Sequence, residues 1–353
     1  MIKRLVEYRV APAKHDFWAA RSPLKSSTMT KPLFSVDISP SAQSPLEAHL
    51  PLALLMDECC HHQENGLRAP LGIYNVSISR ICDKLTRLCL RMQNYFLASD
   101  TLEPLQGSND LVQELVDYIE LTLYAAAEHV DDVDSIASGL FKNSKIRDKN
   151  RAHKILQLQL KQHKKLVSAA ANAIKHQQSR IRIFSMEFRH DAAAGCLHGY
   201  FIEGVEAGVV CPSPTFHKTQ DVFSITTLTW EILVFLLNCS RDLAAFLQSE
   251  GKQIVGPVNV KCEMVQQAVV AAARLPLYAF GEEHPFSKVT LRIFSSDGNA
   301  EALNSTLYGS LTRPWTKSSD ASFGRFTFGY VGDGKTKGFR FAQPKSVALH
   351  HWQ

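Results

Sequence analysis

Long apolar runs are missing from this chain of 353 residues. No stretch approaches the roughly eighteen uninterrupted apolar residues that span a bilayer. The nearest, Ile225 to Leu237, carries Glu231 inside it and reads as a core helix, so no membrane is expected among the partners. Paired cysteines are missing too. The eight cysteines (59, 60, 82, 89, 196, 211, 239 and 262) contain no C-x-x-C, and Cys82 and Cys89 fall at core spacing on a helix. They are expected as free, mostly buried thiols. The N-terminal MIKRLVEYRV breaks its apolar residues with charge, unlike a secretory signal, which makes the cytoplasm the expected compartment. There is no nucleophile elbow, no dinucleotide-type glycine fingerprint after a strand and no His-Glu-x-x-His. No cofactor and no metal is therefore expected.

What remains is an ordinary globular composition, with 45% hydrophobic and 21% charged residues and a net charge of +5. That charge is too small to mark the whole chain as a nucleic-acid binder, so any such role must rest on local clustering. Residues 1–50 read as an arm with a possible strand at Ile2 to Val10, followed by recurrent Pro and Ser. Residues 51–180 read as helical: a short helix from Leu52 to His62 ending near Gly66, then Ser77 to Leu97, then a helix capped by Asn109 or Asp110 and running to about Val130. A last long helix runs from near Asn150 to near Ser179.

After Arg180 the period shortens. Ile181 to Phe188 alternates as a strand does, and a second strand reaches Val210 with Ala207-Gly208 as its turn. Helices are expected at about 222–248 and 262–274. Phe-, Thr- and Tyr-rich segments near 287–295, 305–311, 324–331 and 337–341 then suggest antiparallel sheet. The fold class expected is α+β, an N-terminal helical bundle followed by a mixed α/β domain with antiparallel sheet over residues 181–353.

Charge is segregated along the helical part. From Met92 to Phe141 there is no Lys or Arg, while Asp100, Glu103, Asp110, Glu114, Asp117, Glu120, Glu128, Asp131, Asp132 and Asp134 all occur. From Lys142 to Arg182 twelve Lys or Arg residues face one acid, Asp148. At about 100° per residue, Lys161, Lys165, Asn172 and His176 fall within roughly 40° of Lys154, opposite an apolar stripe. Three readings follow. The basic and acidic stripes flank a helical hairpin contact; or the basic stripe, with Lys154, Lys161, Lys165 and Arg182, takes phosphates; or it meets an acidic protein.

Asn172 and His176 stand one turn apart beside Lys175, with Arg180 following. A neutral imidazole with a carboxamide and cations suits metal-free RNA cleavage, His176 as acid or base and the cations against the developing phosphorane charge. Over residues 70–180 this part resembles the HEPN superfamily, helical bundles that act as dimeric, metal-independent ribonucleases in toxin–antitoxin and antiviral systems. Their signature is an Arg, commonly followed by Asn, then a spacer and His. Asn172 and His176 match its second and last positions, while the first holds Ala171, so Lys175 or Arg180 would supply the charge. Arg147, with five residues before His153, matches the same loose spacing. The resemblance implies RNA as partner, a homodimer and a catalytic set of His176, Asn172, Lys175 and Arg180. The other expectation is a non-catalytic interaction or scaffold subunit with a protein partner.

Other clusters carry less. Gly329 to Thr336 has the letters of a phosphate loop but is followed by a strand pattern, so a turn at Asp333-Gly334 explains it better. Cys59-Cys60-His61-His62 points its four side chains to different sides of a helix. Glu282-Glu283-His284-Pro285 and His350-His351 read as polar loop and tail. The aromatics from Phe323 to Phe341, interleaved with Arg325, Lys335, Lys337 and Arg340, suit either cross-strand pairs or base stacking.

Overall fold

Proline at the first helical position costs nothing, because its missing N–H has no partner there, and Pro70 opens α2 (Pro70–Ala98). Its apolar positions at spacings of three and four, Ile78, Ile81, Cys82, Leu85, Leu88, Cys89 and Met92, are all buried. α3 (Asn109–Ser138) lies antiparallel to it, with Ser77 against His129 at one end and Arg91 against Glu114 at the other. This is a computed structural model. It describes residues 33–39, 42–98, 109–176, 179–190, 193–217, 222–250, 258–275, 278–279, 290–294, 322–328, 338–339 and 348–349.

Before α2 come β1 (Leu33–Asp37), α1 (His49–Ala53) and a short 3-10 turn, Asp57–Cys59. The expected single helix to His62 is thus broken in two. After α3, the short α4 (Ser144–Arg147) leads into α5 (Arg151–His176). α5 runs back along α3, pairing Gln157 with Asp134 and setting Lys175 over Tyr124.

Beyond residue 180, β2 (Ile181–His190) and β3 (Ala193–Glu206) pair antiparallel along their length. Ala207 and Gly208 both take positive φ, 51° and 77°, which is the mirror-image turn a two-residue hairpin needs before β4 (Val209–Pro212). α6 (Pro214–His217) and β5 (Phe223–Ser224) precede α7 (Ile225–Glu250), and α8 (Glu263–Ala273) follows. The remaining strands are β6 (Tyr278–Ala279), β7 (Thr290–Phe294), β8 (Ser322–Phe328), β9 (Gly338–Phe339) and β10 (Ala348–Leu349). The main sheet has the order β8-β2-β3-β4-β9, with β5 paired to β3. The class is α+β, as the pattern implies. Two pairings depart from the expected antiparallel tail: β7 runs parallel to β1, and β9 parallel to β4.

α7 is the one helix among the described residues long and apolar enough to cross a membrane, and 78% of its apolar window is buried inside the protein. It packs antiparallel to α5, through Asn150–Glu250 at one end and His163–Asp242 further on. Because α7 belongs to the second half of the chain and α5 to the first, the apolar core runs on past residue 180 without a break. A polar joint adds to it: Ser185 on β2 bonds both Tyr95 at the end of α2, at 3.0 Å, and His198 Nδ1 on β3, at 2.8 Å. The seven described cysteines are free. Ile2 to Val10, 305–311, Glu282 to Pro285, Gly329 to Thr336 and His350-His351 lie outside the described residues.

The Cys-Cys-His-His segment is divided by packing. His62 is buried, with Nε2 3.1 Å from the Ile136 carbonyl, and Gly139 leaves room for its ring. A Cβ at Gly139 would sit 2.5 Å from His62 Nε2. Gly139→Ala is therefore expected to destabilise the fold by about 1–3 kcal/mol in urea denaturation. Combined with His62→Ala it should cost less than the two single changes added, because the clash disappears with the ring.

Candidate nucleic-acid interface

Two asparagines start the basic segment. Asn143 Oδ1 accepts from Ile146 N at 3.1 Å and caps α4; Asn150 Oδ1 accepts from His153 N at 2.7 Å and caps α5. α5 then buries Leu156, Leu160, Val167, Ala170, Ala171 and Ala173. The helical period leaves the polar positions on the outside. Lys142, Lys145, Lys149, Arg151, Lys154, Lys161, Lys175 and Arg180 are all exposed. None of these eight has a carboxylate within ion-pair distance among the described residues.

The acidic helix finds its partners largely elsewhere. Glu128 and Glu114 of α3 pair with Arg80 and Arg91 of α2, at 3.3 and 3.2 Å. Among the described residues, only Asp131 takes a lysine from α5, Lys164. The hairpin contact expected from the charge pattern thus exists, but it uses one ion pair and leaves the outer cations unmatched.

The residues expected to act are placed as follows. Asn172 and His176 are exposed on one face of α5. Lys175 Nζ lies 4.2 Å from the centre of the Tyr124 ring, a cation–π contact. Arg180 is exposed past the helix end, its N–H donating to Glu203 Oε2 at 3.2 Å. No hydrogen bond or ion pair joins these four to one another among the described residues. Ala171 is 5% exposed, so the first position of the HEPN-like signature faces the core and not the His176 face. Lys154 and Lys161 stand on the open ridge; the side chain of Lys165 lies outside those described. Arg182 differs from them, because Nε donates to Glu203, a buried carboxylate.

At the opposite end of α5 a groove of about 730 Å³ opens between α3, α4 and α5. His153 forms part of its lining, packed edge-on against Phe141 at 5.5 Å and Phe246 at 6.2 Å. Its Nε2 makes no hydrogen bond and lies 3.9 Å from Asp134 Oδ1. Burial lowers the His153 pKa, with Asp134 opposing the shift and Arg147 adding to it. Arg147, Lys154, Lys161 and Lys164 also line the groove. Sequence reading had one signal for this place, the Arg147–His153 spacing. It had none for Asp134, which comes from another helix.

Compared with models of protein families, with curated proteins and with solved structures, the chain matches none. The site therefore has to be read from its own chemistry.

Beneath the ridge, α5 is held by histidine contacts. His163 Nε2 is 2.9 Å from Asp242 Oδ2 of α7, and His129 Nδ1 is 2.8 Å from Ser77 Oγ. Burial pushes the His129 pKa down to about 3, with the His163 charge acting in the same direction. Unfolded, such an imidazole takes up its proton near pH 6.5, while the folded state holds it neutral until about 3. The unfolded chain thus binds the extra proton in that window, and stability falls as pH drops through it, by up to ~1.4 kcal/mol per pH unit for one group. Denaturation midpoints taken from pH 7 to pH 4 are expected to fall, and to fall less steeply in His129→Phe.

Proposed function

We propose that the protein binds RNA or another nucleic acid through the ridge formed by α4 and α5. The observation that carries this is the set of eight exposed cations between Lys142 and Arg180 with no carboxylate within ion-pair distance among the described residues. A polyanion releases condensed counterions when such groups meet its phosphates, so a row of unmatched Lys and Arg is worth more to a nucleic acid than to the fold. The expectation of a role in defence or toxin–antitoxin biology rests on the HEPN resemblance, and that of a cytoplasmic compartment on the charge-broken N-terminal segment.

A second reading, metal-independent RNA cleavage, is favoured by one observation: the groove gathers Arg147, His153 and Asp134 at the end of the ridge. A neutral imidazole there takes the proton of a ribose 2′-hydroxyl, whose oxygen attacks the adjoining phosphorus. Asp134 stabilises the imidazolium that results, and Arg147 and the groove lysines stabilise the phosphorane; the P–O5′ bond then breaks, the 5′-oxygen takes a proton from water, and a 2′,3′-cyclic phosphate remains. In this reading His153 has the role the sequence suggested for His176, and Asn172, Lys175 and Arg180 bind rather than react.

The test is binding and cleavage of a mixed-sequence RNA in EDTA across a salt series. Lys154→Glu with Lys161→Glu is expected to weaken binding at least tenfold. It should also reduce the salt slope by about 0.7 for each cation that contacts a single strand. Loss of cleavage in His153→Ala but not in His176→Ala would support the groove as the reactive end. Salt-sensitive binding without cleavage leaves the binding function alone, and an absence of binding leaves the scaffold reading with a protein partner.

A further inference from the structure

The groove beside His153 is not lined as a simple phosphate site would be. Three carboxylates share it with the cations: Asp131, Asp134 and Asp148. Two are neutralised, Asp131 by Lys164 and Asp148 by Arg147 Nε at 3.0 Å. Asp134 has no Lys or Arg within ion-pair distance, and its side chain is 46% exposed. Its Oδ1 accepts from Gln157 Nε2, and from Ser138 Oγ at 3.5 Å, while Oδ2 has no hydrogen bond among the described residues. A carboxylate only accepts, which fixes the Gln157 amide: its nitrogen turns to Asp134 and leaves the carbonyl Oε1 as a second open acceptor. A further polar atom waits at the same place. His153 is 5% exposed, and its Nε2 has no hydrogen-bond partner.

A bare phosphodiester would be repelled by Asp134 even as the lysines attract it. A ligand carrying both a phosphate and N–H donors satisfies both sets. Among the RNA bases, guanine is the one whose pairing edge offers two adjacent donors, N1–H and N2–H, next to an acceptor, O6. Adenine and cytosine offer one donor group beside an acceptor, and uracil one donor between two acceptors. Asp134 Oδ2 and Gln157 Oε1 match the two donors, and the ammonium of Lys154 or Lys161 matches O6. The edge is free only where the base is unpaired.

We propose that this groove takes a guanine of single-stranded RNA, with Asp134 and Gln157 reading its two N–H donors; the proposal rests on the nucleic-acid reading above. The experiment is fluorescence anisotropy with the full chain and labelled oligouridines carrying one central guanine, adenine, cytosine or hypoxanthine, at fixed salt. Guanine is expected to bind roughly tenfold tighter than the other natural bases. Hypoxanthine, which keeps N1–H and O6 but lacks the 2-amino group, should lose most of that advantage, and this arm needs no mutation. Asp134→Asn should bring the guanine-to-uracil ratio near one. Lys149→Glu with Arg151→Glu, exposed on the ridge outside the groove lining, should weaken all four oligonucleotides together. Salt-sensitive binding with equal affinity for the four bases would overturn the guanine site and leave the ridge standing. So would a guanine preference that survives in Asp134→Asn while oligouridine still binds. Binding of none of them would overturn both.

Discussion

α5 has to satisfy two demands with one period. Every third or fourth residue must enter the core between α3 and α7, and the buried set from Leu156 to Ala173 does so. The residues between them face outward, and in this helix Arg151, Lys154, Lys161, Lys164 and Lys175 are among them, beside the exposed Ile155 and Leu158. A hairpin of opposite charges would have cancelled them. The cancellation is incomplete: Glu128 and Glu114 of α3 pair with Arg80 and Arg91 of α2, while Asp131 pairs with Lys164 of α5. Three helices therefore share the charge unequally: α2 pairs with two glutamates of α3, α3 keeps an acidic surplus, and α5 keeps a basic one. In water at physiological salt such exposed like charges interact weakly beyond about 8 Å, so the surplus costs the fold little. It remains available to a partner that brings many negative charges close together.

The interior is held by a different device. Buried imidazoles recur where elements from distant parts of the chain meet. His49 links Ser44 to Asn75, His129 meets Ser77, His198 meets Ser185, and His217 accepts from the Ile202 N–H. Tyr278 adds a bridge, its hydroxyl bonding both the N–H and the carbonyl of His198. Each such bond would be expensive to leave unmade once buried. A sliding helix or a shifted strand would break several at once, so they select one arrangement of bundle and sheet from the many that apolar packing alone would tolerate. Burial lowers the pKa of His49, His129 and His198, so acid that protonates them opposes the fold.

Much of this was readable in advance, and the parts that were not share a cause. The positions of α2, α5 and α7, the Ala207-Gly208 turn and the outward face of α5 follow from local period and turn chemistry, which one segment carries by itself. The parallel partners of β1 and β4 do not, because each depends on a strand far along the chain that no local pattern names. The groove belongs to the second kind. Arg147 and His153 carry a spacing that occurs often by chance, and nothing in it announces Asp134 on α3 or Phe246 on α7. By contrast Asn172 and His176 drew attention because their spacing is visible on one helix. Visibility in sequence and support in three dimensions are different properties.

That difference bears on where chemistry can happen. His153 and His176 lie roughly 35 Å apart along α5 at about 1.5 Å per residue, so they cannot act on the same phosphodiester within one chain. On the cleavage reading proposed above, only one of the two ends would react. Acid–base chemistry needs a side chain fixed to within a fraction of an ångström of its working position, and that requires neighbours that lock its rotamer. His153 has them, two aromatic rings and a carboxylate drawn from three separate elements. His176 stands at an exposed helix end, with no hydrogen bond to its ring among the described residues. If a nucleic acid follows the ridge from one end to the other, the groove is the end at which the protein has already ordered the groups that would act on it, and the His176 end is where the strand is held.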